Sequence, residues 1–418
     1  MHIFRFLILS ALIGLFGLVP GAWAAAEKNA KIVKMAAIGI SGQQREALLS
    51  IAYAFQQQNP DLYVRYIFKE DSVLKQEISD WMNGESEIDL ILWQAGERLF
   101  RFVRKDKVLP IDQFWQQQKL DEKFPASVKT LVAFGGRTYG LPVSYYNWGF
   151  YYKPVLFKRL GIKPPANWSE FRAALQTLQL AGITPIAIGT KERWPVSAWF
   201  EYLNLRINGL DFHRKVLSGE QSFQDERIRN VLVHWQGLIE QGYFFDKHNE
   251  LTWRDTLPDL LRENAGVVLM GNFMTQLIPL RLRGQIDVFG FPEIDNSVGR
   301  FELSPTDVLV IPKTAKRPDL AQKFMAFLLR TEQQDRFNQG LSQFSLSLDH
   351  AVESDPLHKK GHKLLVEADG LTQYFDRDAS EAYARALMPI WVEFLSKADV
   401  TDTMQKMEQA RKEFHKPR

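Results

Sequence analysis

The residues with the clearest binding chemistry close a short apolar run. In DLILWQAGERL, residues 89–99, Leu90-Ile91-Leu92 leads into Trp93 and then into Gln94, Glu97 and Arg98. An indole offers a flat apolar plane, and the amide, carboxylate and guanidinium beside it offer hydrogen bonds. Ligands of open α/β sheets sit outside the carboxyl ends of strands. The stretch therefore reads as a cleft with Trp93 as its floor and polar groups as its wall. The competing reading is a core Trp followed by a solvated helix start with a surface ion pair. Two further strand ends look alike. Gln43 and Gln44 open a helix whose free N–H groups can meet a polar ligand. Asn272 and Phe273 follow the run AGVVLM.

Other chemistries find no motif. There is no G-x-S-x-G, no Walker A and no dinucleotide fingerprint after the first strand. HKKGH at 358–362 spaces two His as metal ligands, but a Gly lies between them and no Glu follows the first. No cofactor and no metal are expected.

The elements that must position these residues alternate. Residues 31–40 read as a strand. Residues 42–58 read as a helix with Leu48, Ile51, Ala52 and Phe55 on one face. Asn59-Pro60 stops it, and 62–68, 73–82 and the quoted run supply strand, helix and strand. This order predicts an α/β fold with helices flanking a parallel sheet. Further on, 169–180, 228–241 and 320–330 read as helices, with 183–188, 265–270, 286–291 and 308–311 as strands. No repeat or low-complexity linker interrupts them, so two α/β lobes are expected.

The chain of 418 residues has a formal net charge of +3 and no cysteine. Disulfides, a thiol nucleophile and lipid attachment at a cysteine are excluded, and no nucleic acid partner is expected. Residues 1–5 are positive, 6–19 are apolar, Pro20-Gly21 breaks the run and Ala22-Trp23-Ala24 fits a cleavage site. This is the order of a secretory signal peptide, 1–24, cleaved after Ala24. A soluble protein of the periplasm is expected.

GLPVSYYNWGFYYKPVLFKRLGIKPPANWSEF (140–171), AGVVLMGNF (265–273) and PDLAQKFMAFLLRTEQQDRF (318–337) occur in this order. The chain resembles the family 1 extracellular solute-binding proteins of ABC importers, in their carbohydrate-binding branch. The resemblance implies a two-lobed periplasmic-binding-protein fold, type II-like, that closes on a sugar. It implies crossovers near Leu141-Pro142-Val143, near Phe291-Pro292 and near 332–340. Lobe one would be 25–141 plus 293–338, and lobe two 142–291 plus 339–418. Ile38-Gly39-Ile40 and Lys153-Pro154 depart from the family pattern, which leaves the sugar open.

A neutral sugar presents C–H patches to aromatic planes and hydroxyls to amides and charged groups. In the resemblance Trp93 stacks, with Gln94, Glu97 and Arg98 reaching hydroxyls. Tyr145, Tyr146 and Trp148 lie just past the first crossover. Phe273 takes the slot of a stacking Trp, and Asp307 in SPTDVLV takes that of a carboxylate. Trp194 and Tyr374 complete the set from the second lobe. The implied function is capture of a mono- or oligosaccharide by a monomeric, non-enzymatic protein and delivery to an ABC-importer permease. A sensory protein handing its ligand to a membrane receptor would look the same. A glycoside hydrolase would need two carboxylates roughly 5–10 Å apart, for which Asp307 and Glu97 are the arguable pair.

Overall fold

The computed structural model describes residues 31–347 and 355–414. The leader at 1–24, residues 25–30 and the last four residues of the basic tail lie outside them. Among the described residues no helix is long and apolar enough to cross a membrane.

Two sheets organise the molecule. The first has the strand order 62–69, 31–38, 90–94, 306–310, 141–145. Its first three strands run parallel, and 306–310 lies antiparallel between 90–94 and 141–145. The second has the order 287–289, 148–152, 265–271, 184–187. The helix Gly42–Gln58 forms as its pattern predicts: the Ser41 side chain accepts from the Gln44 N–H, and Leu48, Ile51, Ala52 and Phe55 are buried. Asn167 caps Trp168–Leu180 in the same way.

Each sheet has its own apolar core. One core runs from Val33 to Val143 and resumes from Val308 to Leu341. The other runs from Tyr146 to Leu303 and resumes from Tyr374 to Ala410. The chain therefore passes between cores after Val143, after Leu303 and after Leu341. The second passage lies later in the chain than the crossover implied near Phe291-Pro292. Leu141–Tyr145 is an edge strand of the first sheet. Phe291 belongs to the second core, stacked on Tyr202 at 5.0 Å. Residues 332–340 lie inside the helix Thr331–Leu341, where Gly340 packs close against Ala47 of the helix Gly42–Gln58.

Candidate functional site

Between the two cores lies a cavity of about 390 Å³. Its first-core side presents Gln44, Glu70, Asp71, Lys75, Gln94, Arg98 and Asp307. Its second-core side presents six rings: Tyr146, Trp148, Trp194, Trp253, Phe273 and Tyr374.

The rings brace one another. Trp148, on the strand 148–152, stacks on Tyr374 at 4.7 Å and 11°. Trp253 and Tyr146 each meet the Phe273 ring edge-on at 5.3 Å. Tyr374 is fixed by its hydroxyl, which donates to the Trp194 carbonyl at 2.6 Å and accepts from the Ala198 N–H at 3.1 Å. Gly271 ends the strand before Phe273, because a Cβ there would lie 2.4 Å from the Phe273 ring. Trp194 and Phe273 keep part of their surface uncovered, while Trp148, Trp253 and Tyr374 are buried.

The charged groups are paired across the cavity. Arg377 donates to Asp307 at 2.7 Å and to the Tyr146 hydroxyl at 2.9 Å. Arg98 binds Asp376 at 2.9 Å, and Arg254 binds Glu70 at 2.8 Å. Each pair joins one core to the other, so the lobes are closed on each other. Burial pushes the Asp376 carboxyl up, but Arg98, Lys75 and Arg377 outweigh it and hold it below the ordinary value. Burial likewise disfavours the Arg377 charge, and Tyr146, Asp307 and Asp376 more than restore it. At the rim, burial raises the Glu192 carboxyl despite the Trp253 N–H and Arg254 beside it.

Of the residues expected at the site, the cavity gathers Gln44, Gln94, Arg98, Tyr146, Trp148, Trp194, Phe273, Asp307 and Tyr374. It does not gather Trp93, Glu97, Gln43, Tyr145 or Asn272. The strand Leu90–Gln94 extends through Trp93, and successive side chains point to opposite faces. Gln94 faces the cavity beside its cross-strand partner Asp307. Trp93 therefore turns into the first core, 2% exposed, its indole N–H donating to the Arg98 carbonyl at 3.0 Å. It is the core Trp of the competing reading and no floor for a ligand.

Glu97 is paired with Arg104 away from the cavity, so Asp307 and Glu97 do not face each other across a cleft. Gln43 bridges the lobes outside it, accepting from Arg283 at 2.6 Å. Asn272 is buried, its N–H held by the Asn147 carbonyl.

Tyr145 follows the alternation seen at Trp93. It lines a separate groove of about 790 Å³ with Thr306 and Phe344, while their neighbours Tyr146, Asp307 and Gln343 line the cavity. The extended crossovers thus separate two spaces, and adjacent residues face opposite ones. In the groove the Tyr145 hydroxyl lies 2.8 Å from His362 of the HKKGH stretch. Among the described residues no three His, Asp or Glu side chains gather to hold a metal.

The sequence reading missed Glu70, Asp71, Lys75, Trp253, Arg254, Gln343, Asp376 and Arg377. Two pairs among these had a local signal. Trp253-Arg254 in LTWRDT places a guanidinium 4.7 Å over an indole, and Asp376-Arg377 follows the expected Tyr374 in QYFDRD.

Comparison with known proteins agrees with this architecture. An uncharacterized ABC transporter extracellular-binding protein of Pyrococcus horikoshii is 24% identical over 304 residues, 71% of this chain and 68% of that protein. The solved structure of the bacterial solute receptor AcbH superposes with a TM-score of 0.86 at 24% identity, covering 93% of this chain and all of that one. A structure from work on xylan utilization by Caldanaerobius polysaccharolyticus gives 0.83 at 20% identity, covering 92% of this chain and 100% of that one. The family model of the bacterial extracellular solute-binding proteins matches residues 41–335, more than two thirds of the chain. This two-lobed α/β chain belongs to the bacterial extracellular solute-binding protein family.

Proposed function

We propose that the cavity binds a small neutral saccharide and that the closed protein presents it to an ABC-importer permease in the periplasm. One observation carries the reading: a wall of six rings faces a wall whose Glu70, Asp307 and Arg98 already have partners across the cavity. Rings suit the C–H faces of sugars, and charges neutralised in advance leave none free to seek an ionic ligand. The volume lies near the lower end of the roughly 300–1,000 Å³ of small-molecule sites, which favours few sugar units over a long chain. AcbH is described as preferring β-D-galactopyranose, and another neighbour is described in complex with raffinose. Both descriptions support a sugar ligand here. The protein acts by closing and not by chemistry.

The test is a thermal-shift screen of the mature protein against D-glucose, D-galactose, D-xylose, maltose, raffinose, D-galacturonate and D-glucosamine. A ligand of the folded state raises the melting temperature by mass action. The reading requires a shift with at least one neutral sugar and smaller shifts with the charged ones. A panel with no shift, confirmed by calorimetric titration, sinks it.

A further inference from the structure

Three cavity-lining side chains hold a buried polar atom with no hydrogen-bond partner: Gln94 Oε1, Trp148 Nε1 and Gln343 Oε1. Leaving such atoms unpaired is costly, and a ligand hydroxyl is the partner that a sugar-binding cavity supplies. Gln343 makes the strongest case, because its amide orientation follows from its neighbours. Its Nε2 donates to Asp307 Oδ2 at 3.2 Å, and a carboxylate can only accept. Asp307 is itself held by Arg377. Oε1 is therefore the free end, and it is an acceptor.

The backbone is placed as firmly as the amide. The helix Thr331–Leu341 ends on Ser342 in the left-handed region, φ +49°, and the Gln343 N–H closes onto the Asn338 carbonyl at 2.9 Å. The next residue, Phe344, pairs with Tyr145 of the first crossover. Gln343 thus sits on the third passage between the cores.

We propose that Gln343 is a specificity-determining residue of this cavity, its Oε1 accepting a hydrogen bond from one ring hydroxyl of the ligand. The proposal rests on the saccharide reading and deepens it: the ligand must carry a donating hydroxyl at one defined ring position. That contact also ties the ligand to a crossover and not only to the two walls.

The experiment takes the tightest binder of the neutral panel and titrates its monodeoxy and monofluoro derivatives against the native chain and Gln343→Met. Fluorine replaces a hydroxyl in size but cannot donate. At one position the native chain should lose about 10- to 100-fold in affinity for the deoxy and fluoro derivatives alike. In Gln343→Met, which keeps the side chain's length without its amide, that penalty should vanish while penalties at other positions remain.

Fluoro derivatives that all bind the native chain like the parent sugar would overturn the proposal, and this arm needs no variant to fold. So would a variant that binds the parent more weakly yet keeps every positional penalty, which marks a structural role. Failure of every panel sugar to bind removes the saccharide reading and this proposal together. Binding that is indifferent to Gln343 removes this proposal alone.

Discussion

The two walls of the cavity are built from different chemistry. Among the described residues the first-core wall contributes no Phe, Tyr or Trp, only aliphatic, hydroxyl, amide and charged side chains. The second-core wall contributes all six rings. Rings bury area without directional demands, whereas ion pairs act only when their partners arrive. The aromatic wall is therefore able to hold a ligand while the lobes are apart, and the polar wall acts on closure. The difference assigns affinity mainly to the aromatic lobe, while the closing force comes from ion pairs to which both lobes contribute.

The largest expected effect attacks the buried ion pair that joins the polar wall to the opposite one. Arg377→Met strands Asp307 and removes the partner of Tyr146, and breaking a buried pair from one side costs about 3–5 kcal/mol. Urea unfolding should show that loss without any sugar present. A loss below about 1 kcal/mol would mean that this pair is solvated and that the contrast between the walls is overdrawn.

Next comes Trp194→Ala on the aromatic wall. Its ring is half-buried and braced by others, so sugar affinity should fall by about 2 kcal/mol, roughly 30-fold, with little change in the ligand-free melting point. Calorimetric titration reads the first and a thermal melt the second. An unchanged affinity would move the stacking plane elsewhere.

The third prediction concerns acid. The Asp376 carboxyl is held below its ordinary 3.8 by Arg98, Lys75 and Arg377 despite burial. A depressed acid stabilises the fold above its unfolded pKa, and that contribution is lost as pH falls through the folded one. Melting temperature should decline below about pH 4, and the decline should be shallower in Asp376→Asn. Equal slopes in the two proteins would show that other carboxylates set the acid limit.

The smallest effect belongs to the rim. Glu70 is half exposed, so Glu70→Gln should cost only about 0.2–1 kcal/mol and should reduce the salt dependence of binding a neutral sugar. A salt dependence identical to that of the native chain would exclude the Glu70–Arg254 pair from closure.

Much of this was legible in the residues. The helix at 42–58 and the strand at 62–69 follow from period and stop signals, and the family likeness follows from ordered motifs. Of the expected site, Phe273, Asp307 and Tyr374 fall in the cavity because each ends or begins an element that opens onto it. What could not be read was parity. Trp93 and Gln94 differ by one position, as do Tyr145 and Tyr146, and the register of an unseen partner strand decides which one faces inward. The ion partners were hidden for another reason. Glu70 and Arg254, like Arg98 and Asp376, are far apart in the chain and become neighbours only when two separate cores meet.

Because the partly exposed Glu70–Arg254 pair runs from one half to the other, the surrounding medium acts on the grip itself. Mobile ions weaken attraction between partly exposed charges. A cell in fresh water would keep its catch longer than a cell in brine, and for the proposed neutral sugar this holds although the cargo adds no charge.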